Sequence, residues 1–179
     1  YVLNTEIRTA ELAYAGQEIE IAETAADFYN ERQKAAVSLD KVLEQNEQFG
    51  IGMNGEITAV TFGLFAAEDL TAADGNIIPA DGLLEILSVD ENGHAVCKTD
   101  LPFGSYYLKE LSTDGHYILS DEKYPIVVDY AGQDTALVEI KVNNGNPIGN
   151  DLIYGEIHGL KKDEDGNALG GALIGLFKA

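Results

Sequence analysis

Short segments of the chain recur at near-constant spacing, and that repetition confines the fold to a serial array of one kind of unit. Tyr1-Val-Leu-Asn4 returns as Tyr117-Ile-Leu-Ser120, and Tyr14-Ala-Gly-Gln17 returns as Tyr130-Ala-Gly-Gln133, both 116 residues further on. Phe62-Gly-Leu-Phe65 returns as Ile174-Gly-Leu-Phe177 after 112 residues. Segments recurring at such periods belong to units that repeat the same elements. The expected organisation is the closing strands of one unit over 1–33, a complete unit over 34–150 and the first strands of another over 151–179. A unit of that length can bury a core of its own.

Within the unit, apolar and polar residues alternate in short runs separated by Gly, Asp and Asn, the pattern of half-buried strands. The runs at 36–43, 57–65, 83–88, 95–100, 104–111, 117–119, 124–130 and 136–143 are the candidate strands. Turn signals fall between them at Asp74-Gly-Asn, Asp90-Glu-Asn-Gly, Leu101-Pro-Phe-Gly, Thr113-Asp-Gly and Ala131-Gly-Gln. Residues 68–73 suit a helical turn, and 143–150 (Asn-Asn-Gly-Asn-Pro-Ile-Gly-Asn) reads as a linker before the next unit begins near Leu152. Many short strands at this spacing point to an all-β, immunoglobulin-like sandwich of two sheets.

Charge and motif content remove several functions. A net charge of -20 leaves no basic stripe for nucleic acid and disfavours docking on anionic lipid. One cysteine, Cys97, excludes an intrachain disulfide framework and a multi-cysteine zinc site; in a strand it reads as a small apolar residue. Gly50-Ile-Gly52-Met-Asn-Gly55 has dinucleotide-loop spacing, but a β-rich stretch follows where that loop needs a helix. Asp163-Glu-Asp165-Gly and Asp90-Glu-Asn-Gly lack the ligand spacing of calcium loops and read as hairpin turns. His94, His116 and His158 show neither metal nor triad spacing. No cofactor and no metal are expected.

The two unit openings align by alternation alone. Val37-Ser-Leu39-Asp-Lys41 matches Ile157-His-Gly159-Leu-Lys161, each with a lysine at the third same-facing position. The first copy carries a longer loop, around 48–56, before its Gly-Leu-Phe strand. Gly155-Glu-Ile-His-Gly-Leu-Lys161-Lys-Asp163-Glu-Asp-Gly166-Asn-Ala-Leu169-Gly-Gly-Ala172 resembles the opening of a Cna B-type (SpaA-type) domain. Leu101-Pro-Phe-Gly104-Ser-Tyr-Tyr107-Leu-Lys-Glu110 with Gly115-His-Tyr117, and Val138-Glu-Ile140-Lys-Val142-Asn-Asn144, resemble its middle motif and last strand. The resemblance implies a prealbumin-like sandwich repeated in tandem on adhesins and pili of Gram-positive bacteria, outside the cell and attached to its wall. It implies a structural stalk without turnover chemistry, whose partners are neighbouring repeats. The alternative is an adhesin module that binds a host protein or glycan through loops such as 48–55 or 68–81.

The same resemblance implies a covalent staple. In that family a core lysine attacks an asparagine side chain, assisted by a buried carboxylic acid, and ammonia leaves once per molecule. The matching positions are Lys41, Glu110 and Asn144. Val138, Ile140 and Val142 place Asn144 on the inward face by alternation, with Asn143 as the fallback partner. Tyr106 and Leu108 put Glu110 on their face, and Val37 and Leu39 do so for Lys41. Asn30 and Lys161 are the corresponding half-sites of the flanking pieces, which are expected to be loose or to pair head to tail.

Overall fold

The computed structural model describes residues 1–7, 9, 11–17, 30–71 and 74–177. Alternation is cleanest in β8 (Lys123–Val128), where Tyr124, Ile126 and Val128 are buried and Lys123, Pro125 and Val127 face out. Proline at the centre is tolerated because β8 is a sheet edge, where a missing N–H costs no ladder bond. β8 pairs with β7 (Gly104–Ser112), which continues to β2 (Thr61–Ala66) and β5 (Leu83–Ser88), all antiparallel.

The facing sheet is organised around β1 (Lys34–Leu43), whose buried Val37, Leu39 and Lys41 alternate as expected. β6 (His94–Val96) runs antiparallel along one side of it. On the other side β9 (Leu137–Lys141) pairs parallel with Lys34–Ser38, and β10 (Ile148–Asn150) pairs parallel with Lys41–Leu43. A small two-stranded sheet, β3 (Leu70–Thr71) and β4 (Ile77–Ile78), closes one loop. Between the main sheets lie Phe62, Leu64, Tyr106, Leu108, Val37 and Ile148, all fully buried. The expected two-sheet, all-β sandwich is the observed one.

Besides the strand expected at 117–119, which is only a single bridge from Tyr117 to Leu152, four local expectations change. Residues 56–59 form a 3-10 turn rather than the start of β2, because Gly55 enters at φ 87 and its carbonyl accepts the Thr58 N–H and hydroxyl. The strand expected at 95–100 stops at Val96, where the Glu85 carboxylate takes the backbone N–H groups of Lys98 and Thr99. The same carboxylate accepts the Cys97 thiol, so this half-buried cysteine has a polar partner. The helical turn expected at 68–73 is replaced by β3, with residues 72–73 outside the described set.

The linker expected at 143–150 is the fourth. β9 ends in a 3-10 turn, Val142–Gly145, with Asn143 and Asn144 at φ 55 and 53. The chain then re-enters the sheet as β10. Asparagine tolerates left-handed backbone better than most residues, so Asn-Asn-Gly supplies a jog rather than a linker.

Beyond β10, Leu152 bridges Tyr117, and the Asp163 turn carries one further bridge, Lys162 to Ala168. Phe177 folds its ring over Gly175 as Phe65 does over Gly63, so the recurring Gly-Leu-Phe keeps its local geometry.

Candidate functional site: three buried polar groups between the sheets

Lys, Glu and Asn seldom occupy a core unless they satisfy one another. Lys41, Glu110 and Asn150 are 2%, 1% and 3% exposed, and they meet in the interior. Lys41 arrives from β1, opposite Ile148 in the parallel register, and its backbone N–H donates to the Gly93 carbonyl at 2.6 Å. Gly93 has φ 81, and a Cβ there would clash with the Lys41 carbonyl oxygen, so only glycine lets the turn approach β1 this closely. Glu110 arrives from β7 on the face of Tyr106 and Leu108. Asn150 closes β10.

The hydrogen bonds form a closed set. Lys41 Nζ donates to Asn150 Oδ1 at 2.7 Å, to the Ile148 carbonyl at 3.1 Å and to the Val42 carbonyl at 3.2 Å. Asn150 Nδ2 donates to both Glu110 oxygens at 3.0 Å and to Thr113 Oγ1 at 3.1 Å. The Ser120 N–H donates to Glu110 Oε2 at 2.9 Å, and Lys41 Nζ lies 3.8 Å from Glu110 Oε1. Among the described residues no buried side-chain nitrogen or oxygen lacks a partner. Burial holds the Lys41 ammonium down from its ordinary 10.5 to about 8, against the opposing pull of the Glu110 carboxylate and Asp151.

Of the residues expected from sequence, Lys41 and Glu110 are brought together and Asn144 is not. Alternation holds through Val142, which is buried, and fails at the jog, which leaves Asn144 exposed. Asn143 is half-buried, with its side-chain amide bonded to the Asn146 carbonyl. Asn150 takes the place next to Lys41. Its signal was present as Ile148-Gly-Asn150, where alternation puts the asparagine on the face of a buried isoleucine. Asn30 and Lys161 are exposed, and Asn30 loses the support of its analogy with Asn144. Residues 18–29, which lead into Asn30, lie outside the described residues.

All three histidines pair with nearby carboxylates at the surface, His94 with Asp40, His116 with Asp114 and His158 with Glu156. No group of three or more His, Cys, Asp or Glu among the described residues is arranged to hold a metal ion.

Residues 52–146 match the family model described as SpaA, a prealbumin-like fold domain. Three solved pilins are similar in fold. The minor pilin GBS52 of Streptococcus agalactiae is 17% identical over 72% of this chain and 49% of its own, with a TM-score of 0.42. The major pilin SpaA of Corynebacterium diphtheriae is 18% identical over 66% of this chain and 30% of its own, with a TM-score of 0.40. BcpA, the major pilin subunit of Bacillus cereus, is 20% identical over 66% of this chain and 29% of its own, with a TM-score of 0.36. The chain thus spans less than half the length of each pilin. No curated protein matches it.

Proposed function

Because the chain belongs to the SpaA prealbumin-like fold family, we propose that it is a structural, pilin-type domain of a Gram-positive surface protein, stapled by a Lys41–Asn150 isopeptide bond. The observation that carries this reading is the buried contact of Lys41 Nζ with the Asn150 carboxamide, with Glu110 on its nitrogen. A lysine beside an amide and a carboxyl is a nucleophile, an electrophile and a proton carrier in one dry site. Starting as the neutral amine, Lys41 Nζ bonds to Asn150 Cγ and gives up one proton to Glu110. The Cγ–Nδ2 bond breaks, Glu110 returns the proton to Nδ2, and ammonia leaves. No metal or cofactor enters. The repeated segments support tandem units of about 34–150, so the partners are neighbouring repeats at the cell surface, with attachment to the wall.

Intact mass tests the reading. The full chain is expected to weigh one ammonia less than its sequence, and Lys41→Ala, Glu110→Ala and Asn150→Ala to restore the full mass. Asn144→Ala is expected to keep the loss. A folded wild-type chain of unmodified mass would sink the staple.

The pH dependence has a definite sign. Lys41 attacks as the neutral amine, whose fraction rises as pH passes through about 8. Bond formation is therefore expected to quicken from about pH 7 to about pH 9, followed as timed mass loss. A flat or falling rate contradicts this. The unreacted fold binds fewer protons than the unfolded chain between about 8 and 10.5, so its stability rises with pH across that window. Below about 8 the cost of the buried charge is fully present, and bond closure removes the titration altogether.

The alternative of a ligand-binding module draws its support from the loop 48–55, where Phe49 and Met53 are exposed as a bare stalk does not require. The buried triad favours the stalk.

A further inference from the structure

We infer that the Thr113 hydroxyl holds the departing nitrogen of Asn150 and so speeds closure of the Lys41–Asn150 bond, an inference that rests on the function proposed above. Thr113 directly follows β7 and begins the Thr113-Asp-Gly turn, where it is half-buried. From the sequence it is only a turn residue. In the fold its Oγ1 lies 3.1 Å from Asn150 Nδ2, the atom that must leave as ammonia.

The amide nitrogen has two hydrogens, and the site offers each a place. One is shared between the Glu110 oxygens and the other goes to Thr113. With Oδ1 taken by Lys41, the carboxamide plane is fixed at both ends. Holding that plane keeps Cγ presented to Nζ, and positioning of this kind lowers the barrier without new chemistry.

The contact also outlasts the ground state. As Nζ bonds to Cγ, Nδ2 loses its amide conjugation and gains a lone pair. Glu110 protonates that lone pair, and the positive charge then developing on Nδ2 makes its hydrogen a stronger donor to Thr113 Oγ1. An interaction that strengthens along the reaction path accelerates it. Thr113 neither gains nor loses a proton overall. The proton on the leaving nitrogen comes from Lys41 by way of Glu110.

The test is the rate of ammonia loss by full chain made in cell-free translation, quenched in acid at timed intervals and weighed intact. Thr113→Val and Thr113→Ala are expected to react roughly fivefold to tenfold more slowly than wild type, the worth of one hydrogen bond at the transition state. Thr113→Ser, which keeps the hydroxyl, is expected to restore the wild-type rate. A hydroxyl with a purely structural role predicts a lower melting midpoint in Thr113→Val at an unchanged rate, and that result overturns this inference alone. A wild-type chain that keeps its ammonia overturns the staple as well.

Discussion

Pulled from its two ends, the wild-type domain is expected to resist extension, while Lys41→Met should lengthen by roughly 350 Å as it unfolds. That length is the stretch between Lys41 and Asn150, which stand 109 residues apart in the chain. The sheet sets the load path. Tension entering before Lys34 runs along β1 to Lys41, crosses the bond to Asn150 and leaves at Asp151. β1 and β10 are parallel neighbours, so the crossing joins adjacent strands and leaves everything between residues 42 and 149 unloaded. Methionine keeps most of the lysine stem while removing the nucleophile. Equal extension of the two proteins in single-molecule pulling would contradict the staple.

The second large effect is thermal. Closing a loop of this size removes about 4–5 kcal/mol of chain entropy from the unfolded state, by analogy with a disulfide. Lys41→Met is therefore expected to melt on the order of 10–20 °C below wild type in calorimetry. Part of that drop reflects the Asn150 carbonyl losing its buried donor. Asn144→Ala supplies the contrast, because it alters only an exposed turn residue and should melt within a few degrees of wild type. Comparable losses in both variants would place the stabilisation outside the bond.

The proposed staple would suit the core because it uses groups that would otherwise be costly to bury. A lone ammonium or carboxylate in this interior would carry a desolvation penalty of several kcal/mol. Here the amide lies between the two charges and bonds to both. After reaction the lysine charge is gone and an uncharged amide remains, which is the cheaper group to keep dry.

Much of the fold is legible in the sequence itself. Alternation marked β1 and β8, because each keeps one face on the core and period two survives along its buried stretch. For the same reason Val37, Leu39 and Lys41 share a face, as do Tyr106, Leu108 and Glu110. The strands expected at 57–65 and 95–100 are interrupted by local hydrogen bonds, one to a carbonyl at a left-handed glycine and one to the Glu85 carboxylate. Neither competitor carries a periodic signal.

The sequence alone thus determined the class of fold and two of the three polar residues that meet in the core. All of these follow from patterns that are local or recur along the chain. Only the tertiary structure decided the third. Asn143 and Asn144 adopt a left-handed jog that breaks the alternation, and pairing of Ile148–Asn150 with Lys41–Leu43 restores it in a new phase. That pairing joins residues more than a hundred positions apart. Alternation marks Asn150 as inward, but a register set across such a distance is not written in the period of either strand, so its pairing with Lys41 is settled only in three dimensions.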